Sequence, residues 1–264
     1  MQRDETTAAT AADRWAHPLP PRLLAIEGVG PLYLEVAEIR DLSPHLRRVL
    51  LANVPADFAH RPGQDVMLVL GGTPERPLSR RYSIRRHDAQ AGTLELNVVS
   101  HGVSGPGSDW VAATRPGDRI NGVGPRGKIF LKPDADWHLL IGDESAGAAT
   151  LAMLEAVPAG QRGFAYLEVP GPEDAAGLGA ADGVHWIHRG ETSAWLSTRL
   201  VEAMQSADLP AGRGHVYIFG EVGVINAVQR AALARGLTAE QISPKAYWGR
   251  GKANANNGEP EKTA

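Results

Sequence analysis

The chain has 264 residues, no cysteine, and 27 Lys and Arg against 30 Asp and Glu, for a formal net charge of −3. The absence of cysteine excludes disulfides, thiolate nucleophiles, sulfur-held zinc and iron–sulfur clusters, so redox chemistry would need an organic cofactor or haem. The near-balanced charge gives no overall attraction to nucleic acid or an anionic lipid surface, and the length fits two domains.

Residues 1–28 mix acidic residues and prolines with short apolar pieces, too interrupted for a signal peptide, and no span approaches the roughly 20 apolar residues of a transmembrane helix. The reading is a flexible N-terminal segment over 1–28 in a cytoplasmic protein with no membrane insertion. Over 32–131 the apolar residues come in short runs between turn formers: LYLEVAEI, LRRVLLA, GQDVMLVLGG, RRYSIR, GTLELNVV, GDRINGVG and GKIFL. Leu94, Leu96 and Val98 alternate with Glu95 and Asn97, the period of a half-buried strand. Six or seven such strands predict an antiparallel barrel or sandwich over 29–134. One short helix interrupts them, over 108–114, with Ser108 as its cap.

From Trp137 the rhythm becomes strand and helix: HLLIGD, a helix over 145–157, GFAYLEV, VHWIHR, a helix over about 193–205, HVYIFGE, and a helix over about 222–235. This alternation predicts a parallel sheet with helices on both faces. The second domain is placed at 135–252, including an aromatic segment near its end. Residues 253–264 are small and polar, the composition of a disordered tail.

Several motifs carry chemistry. Arg80, Tyr82 and Ser83 lie on one predicted strand, where alternation puts Arg80 and Tyr82 on the same face. A guanidinium there can pair with a phosphate, a phenol can stack on a flat ring, and a hydroxyl can bond its edge; the strand can equally be an arginine-rich structural one. Gly105-Pro106-Gly107-Ser108 leads into the short helix, and its backbone N–H groups suit a pyrophosphate or simply an ordinary glycine turn. Arg76, Arg80, Arg81, Arg85 and Arg86, with Arg115, Arg119, Arg126, Lys128 and Lys132, form either one basic face or solvated charges scattered round the barrel. His185 and His188 fall on opposite faces of a strand, which argues against a metal pair. Glu221 sits at a strand end, where open parallel sheets bind ligands, or else caps the next helix. Carboxylates at Gly142-Asp143-Glu144 disfavour tightly held phosphate.

Taken together, Arg80 to Arg85, His101 to Trp110, Gly142-Asp143-Glu144-Ser145, Gly220-Glu221-Val222 and Tyr247-Trp248 resemble the siderophore-interacting proteins, FAD-dependent ferric-siderophore reductases of the ferredoxin-reductase superfamily. The resemblance covers about residues 32–252. It implies a β plus α/β fold: an antiparallel β-barrel that binds FAD, then a parallel-sheet α/β domain like those that bind NAD(P)H. It further implies FAD contacts from Arg80, Tyr82, Ser83, Ile84, Val99, His101, Gly105, Gly107, Ser108, Trp110 and Trp248. Asp143, Glu144, Ser145 and Glu221 fall on the nicotinamide side, and Arg126, Arg250 and Lys252 toward the substrate. Three places depart from the family pattern: Gly147-Ala148, Val224-Ile225-Asn226, and Met67 in place of a lysine facing the siderophore.

The expected function is FAD-dependent reduction of a ferric siderophore, with Fe(II) released and with electrons from NADH, NADPH or a ferredoxin-type donor. No protein ligand to a metal is needed, and no nucleic acid is involved. A general flavin reductase or electron-transfer flavoprotein with another acceptor is the alternative reading. A siderophore- or flavin-binding protein without turnover is the third.

Overall fold

A computed structural model of the chain describes residues 11–100, 105–179 and 181–250. A short helix α1 (Pro21–Leu24) precedes strands β1 (Gly30–Ser43), β2 (Leu46–Ala52), β3 (Asp65–Gly72), β4 (Pro77–Asp88) and β5 (Thr93–Val99). Helix α2 (Pro106–Ala113) and strand β6 (Arg119–Arg126) follow. The six strands close into a barrel in the order β1, β2, β5, β4, β3, β6, with antiparallel pairing throughout. The alternation legible in β5 is the reason: Leu94, Leu96 and Val98 point into a core shared with Leu32, Leu34, Val49, Leu68 and Trp110.

Strand β3 is buried on both faces. Val66, Leu68 and Leu70 join the barrel core. Met67 and Val69 face outward, where Leu23, Leu19, Ile26 and Val29 cover them. Residues 11–28, expected as a flexible segment, lie here against the barrel. Arg14 pairs with Asp118 at 2.6 Å, Trp15 bridges to Ile120, and Asn121 Nδ2 donates to the His17 carbonyl at 2.9 Å. An apolar outer face on β3 needs a cover, and the N-terminal stretch supplies it. The run GKIFL is not a strand; Ile129 packs instead with Met153, Leu140 and Phe219 between the two domains.

The second domain contains β7 (Trp137–Asp143), α3 (Gly147–Glu155), β8 (Arg162–Val169), α4 (Pro172–Leu178) and β9 (Val184–His188). It continues with α5 (Arg199–Ser206), β10 (Gly214–Glu221), α6 (Val222–Ala234) and β11 (Ile242–Trp248). All five strands run parallel in the order β11, β10, β7, β8, β9. Helix α4 is an addition to the elements expected, and the terminal aromatic segment is itself an edge strand. The helix expected over 193–205 divides into a turn of 3-10 helix at Ala194–Leu196 and α5. Among the described residues no helix is long and apolar enough to cross a membrane.

Strand order reverses between β7 and β10, which makes their carboxyl ends the switch point at which open α/β sheets form a crevice. Glycine allows the two strands to meet there. A Cβ on Gly142 would lie 2.6 Å from both the Phe219 carbonyl oxygen and Ala146 Cβ. Departure from the family pattern at Gly147 has a similar basis, because a Cβ there would meet Leu178 of α4 at 2.8 Å. Contacts across the two domains are specific: Arg85 of β4 donates two bonds to Glu155 of α3 (2.8 and 2.6 Å), and Asp174 of α4 accepts from the Ser43 hydroxyl and His45. Gly142→Ala should therefore cost about 1–3 kcal/mol of stability by overpacking. Urea denaturation checks this, and an unchanged midpoint would contradict the packing described.

Candidate functional site

The two faces of β4 serve different neighbours. Arg80 and Tyr82 face α2, whereas Ser83 and Arg85 face the second domain. The Tyr82 ring packs 5.3 Å from that of Trp110 in α2. Its hydroxyl is buried with no hydrogen-bond partner, and burial pushes its pKa up. Gly107 closes over this face: a Cβ there would lie 3.0 Å from Tyr82 Oη and 3.5 Å from Arg80 Cγ. Helix α2 thus begins directly above Arg80 and Tyr82, with Pro106 at its first position and Gly105 as N-cap. Ser108 lies inside the first turn and makes no capping bond, a correction that follows from proline's preference for the first helical position.

These features fit a phosphate-bearing planar cofactor. Tyr82 offers a ring face and an unmet hydroxyl, Arg80 a cation, and the glycine-lined helix start a set of backbone N–H groups. Ile84 and Trp110 are fully buried in the barrel core, Trp110 against the ring of Tyr82. Val99 packs against the second domain's cluster around Leu151 and Leu167. His101 and Lys252 lie outside the described residues.

On the other face of β4, the Ser83 hydroxyl donates to Tyr247 Oη at 3.2 Å. Tyr247 stacks on Phe219 with ring centroids 5.5 Å apart, and burial raises its pKa. Beside it, Lys245 pairs with Asp65 of β3 at 2.9 Å. Strand β11 is thereby fastened to two barrel strands. Nothing in the sequence marked Lys245 or Asp65 except that Lys245 stands two residues before Tyr247.

Beyond Tyr247 lies the switch point. Asp143 accepts bonds from the backbone N–H of Ser145 (2.9 Å) and Glu221 (2.9 Å), from Trp248 Nε1 (3.0 Å) and from the Ser145 hydroxyl. Burial and the neighbouring Glu144 push its pKa up to about 7. Glu144 accepts two 2.6 Å bonds from Arg189, which also lies 3.9 Å from Glu168. Glu221 caps α6 through Gly223 and Val224, at 2.6 and 3.0 Å. The structure therefore gathers Asp143, Glu144, Ser145, Glu221 and Trp248 at one edge, with the three carboxylates committed to internal bonds. Of these residues only Ser145 and Trp248 are not buried.

Three of the basic residues are turned to carboxylates. Arg85 and Arg86 turn to Glu155, and Arg119 pairs with Asp13 at 3.2 Å. Arg126 is half-buried and places Nη1 3.3 Å from Met67 Sδ. Met67, expected where relatives carry a lysine, is part of the outer patch of β3 with Leu23 of α1. Arg250 lies 5.2 Å over the ring of Trp195, which in turn meets Trp248 edge-on at 6.2 Å.

The raised pKa of Asp143 has a consequence for stability. A carboxyl that holds its proton more tightly in the folded than in the unfolded chain contributes stability at low pH, lost as pH rises from about 4 toward 7. The stability of the natural protein relative to Asp143→Asn should fall by a few kcal/mol over that range, measured by urea denaturation at several pH values. A difference that stays flat or grows would contradict the buried-carboxyl assignment.

Comparison with known proteins agrees with this geometry. Residues 135–251 match the model of the siderophore-interacting protein family, and residues 70–129 that of the siderophore-interacting FAD-binding domain, the stretch holding β4 and α2. An uncharacterized protein of Mycobacterium tuberculosis is 35% identical, over 84% of this chain and 92% of its own. Ferric vibriobactin reductase ViuB of Vibrio cholerae is 30% identical over 67% of this chain and 66% of its own. The NADPH-dependent ferric-chelate reductase of Escherichia coli is 27% identical over 66% of each chain. A siderophore utilization protein from T. fusca superposes with a TM-score of 0.77 at 28% identity, covering 88% of this chain and 97% of its own. Siderophore-interacting protein SipS from Aeromonas hydrophila gives 0.71 at 30%, covering 84% and 92%. Phthalate dioxygenase reductase, at 0.67 and 18% identity over 90% of this chain and 72% of its own, shares the ferredoxin-reductase-like fold. With its FAD-binding barrel and its α/β half both matched, and with a relative as similar as SipS spanned almost end to end, the chain belongs to the siderophore-interacting protein family.

Proposed function

We propose that this protein is an FAD-dependent ferric-siderophore reductase that takes electrons from NADH, NADPH or a ferredoxin-type protein and releases iron as Fe(II). The observation that carries the reading is the meeting of β4 with both α2 and β11: the Arg80, Tyr82 and Gly107 cradle on one face, and the Ser83 to Tyr247 bond on the other. Relatives named as ferric vibriobactin reductase and ferric-chelate reductase support it.

In this reading Arg80 neutralises a phosphate, and the N–H groups of Gly107 and Ser108 at the start of α2 donate to the other. Tyr82 supplies a stacking face, held in place by Trp110. Ser83, with Tyr247 behind it, presents a hydroxyl at the junction of the domains. Trp248 is held by Asp143 at the edge where a nicotinamide donor would approach, beside Ser145 and Glu221. FAD, when bound, supplies the conversion of a two-electron donor into single electrons, which the residues themselves do not provide. Arg126 and Arg250, with Lys252, attract an anionic chelate. Hard oxygen donors hold Fe(III) far better than Fe(II), so reduction frees the metal without any protein ligand to iron.

One observation favours the alternative of a general flavin reductase: Met67 lies under α1, so β3 presents no lysine to an anionic chelate. Anaerobic stopped-flow separates the two. Reduced holoprotein should be reoxidised by a ferric siderophore, and reoxidation by other acceptors only would overturn the proposal. Arg80→Ala should weaken FAD binding at least about tenfold, the worth of a charge-assisted bond. Arg86→Ala should have a much smaller effect, because Arg86 is exposed beside Glu155 at 3.6 Å. Equal losses in equilibrium FAD titrations would refute the assignment of the cradle.

A further inference from the structure

Neither the cradle under α2 nor the sheet crevice uses the far end of β4. There His87 meets His60, from the loop between β2 and β3, with ring centroids 5.4 Å apart and planes at 72°. Phe58, a member of the barrel core, lies beneath both, 6.1 Å from the His60 ring and 5.2 Å from the His87 ring. Both histidines are half-buried, and among the described residues no protein group hydrogen-bonds either imidazole. Each ring carries two nitrogens that ask for partners, so two such rings set against one another call for a reason. The surroundings suit a cation. Arg61 and Arg86, their sequence neighbours, are turned elsewhere: Arg61 lies 3.7 Å over the Phe130 ring, and Arg86 stands 3.6 Å from Glu155. Asp88 follows His87, with its Oδ1 held by the backbone N–H groups of Gln90 and Ala91 at 2.9 Å each. Burial lowers the pKa of both imidazoles, and His87 adds to the effect on His60. A neutral imidazole is the form that binds a metal ion.

We propose that His60 and His87 form a site for a divalent transition-metal ion of the kind the reaction sets free, Fe(II), with water completing its shell. The naming of Fe(II) rests on the ferric-siderophore reading above; the metal site itself does not. A metal about 2.0–2.1 Å from a ring nitrogen lies about 3.2 Å from the ring centre, so two imidazoles at a tetrahedral angle have centroids about 5.2 Å apart. The observed 5.4 Å is close to that spacing, and the torsion that turns each ring is broad. Imidazole is a good ligand for iron and zinc. Among the described residues no third His, Asp or Glu joins the pair, so the ion keeps open positions and can exchange. Reduction needs no protein ligand to iron. The pair acts afterwards, as a resting place for the released ion.

The test is calorimetric titration of FAD-loaded protein with Zn(II) and, without oxygen, with Fe(II). One ion should bind per chain, and Zn(II) should raise the thermal unfolding midpoint, since an ion that binds only the folded chain stabilises it. His60→Gln and His87→Gln should each weaken binding at least about tenfold, because loss of even an outer partner of a metal site costs that much. Each should also remove most of the rise in midpoint. His188→Gln, which alters an exposed histidine elsewhere, should bind as the natural protein does. Either variant of the pair decides alone if the other fails to fold. Absence of binding, or binding that survives both substitutions as an adventitious ion only, overturns the site. Binding of Zn(II) without binding of Fe(II) overturns its assignment to the released ion. Natural protein that binds Fe(II) through this pair, yet whose reduced flavin is not reoxidised by a ferric siderophore, contradicts the reductase reading and leaves the metal site standing.

Discussion

Strand β4 must satisfy two neighbours at once, and the two-residue period of an extended chain is what allows it. Arg80 and Tyr82 turn to the start of α2, while Ser83 and Arg85 turn to the second domain and end at Tyr247 and Glu155. A slip of one residue in the pairing of β4 would exchange the two sets. The register is pinned by neighbours on both sides: Val66 opposes Tyr82, Asp65 opposes Ser83, and Ile84 opposes Leu96 inside the barrel core.

The fastening of β11 to the barrel follows from that register. Asp65, displayed beside Ser83, is met by Lys245, and Ser83 itself is met by Tyr247. An ion pair this deeply buried contributes little net stability, but removal of either partner alone leaves an uncompensated charge, at a cost of about 3–5 kcal/mol. The pair therefore specifies how the domains join more than it strengthens the join. The next residue after Tyr247 is Trp248, whose indole N–H reaches Asp143 at the switch point, so barrel, edge strand and sheet crevice form one chain of contacts.

The sequence made legible what depends on local pattern. Strict alternation in β5, the change from strand runs to strand and helix near residue 135, and the glycine loop before α2 all have short-range causes. Contacts that join distant positions were not legible: Asp65 and Lys245 stand 180 residues apart. The cover that α1 provides over Met67 and Val69 is of the same kind, since the N-terminal stretch shows no strand or long helix of its own. Helix α4 has seven residues, too few for an apolar period to declare itself. GKIFL reads as a strand because it is apolar, but Ile129 is buried between domains, a setting that periodicity does not distinguish from a sheet. For Glu221 the sequence left ligand contact and helix capping open, and the bonds to Gly223 and Val224 show the cap.

The proposed function requires α2, above Arg80 and Tyr82, to receive the second phosphate of a dinucleotide flavin. Titration of the apoprotein with FAD and with FMN, followed by flavin fluorescence, tests it most directly. FAD should bind at least about tenfold more tightly than FMN, because only FAD carries a second phosphate to the N–H groups of Gly107 and Ser108. Equal affinities for the two flavins, or binding of neither, would contradict it.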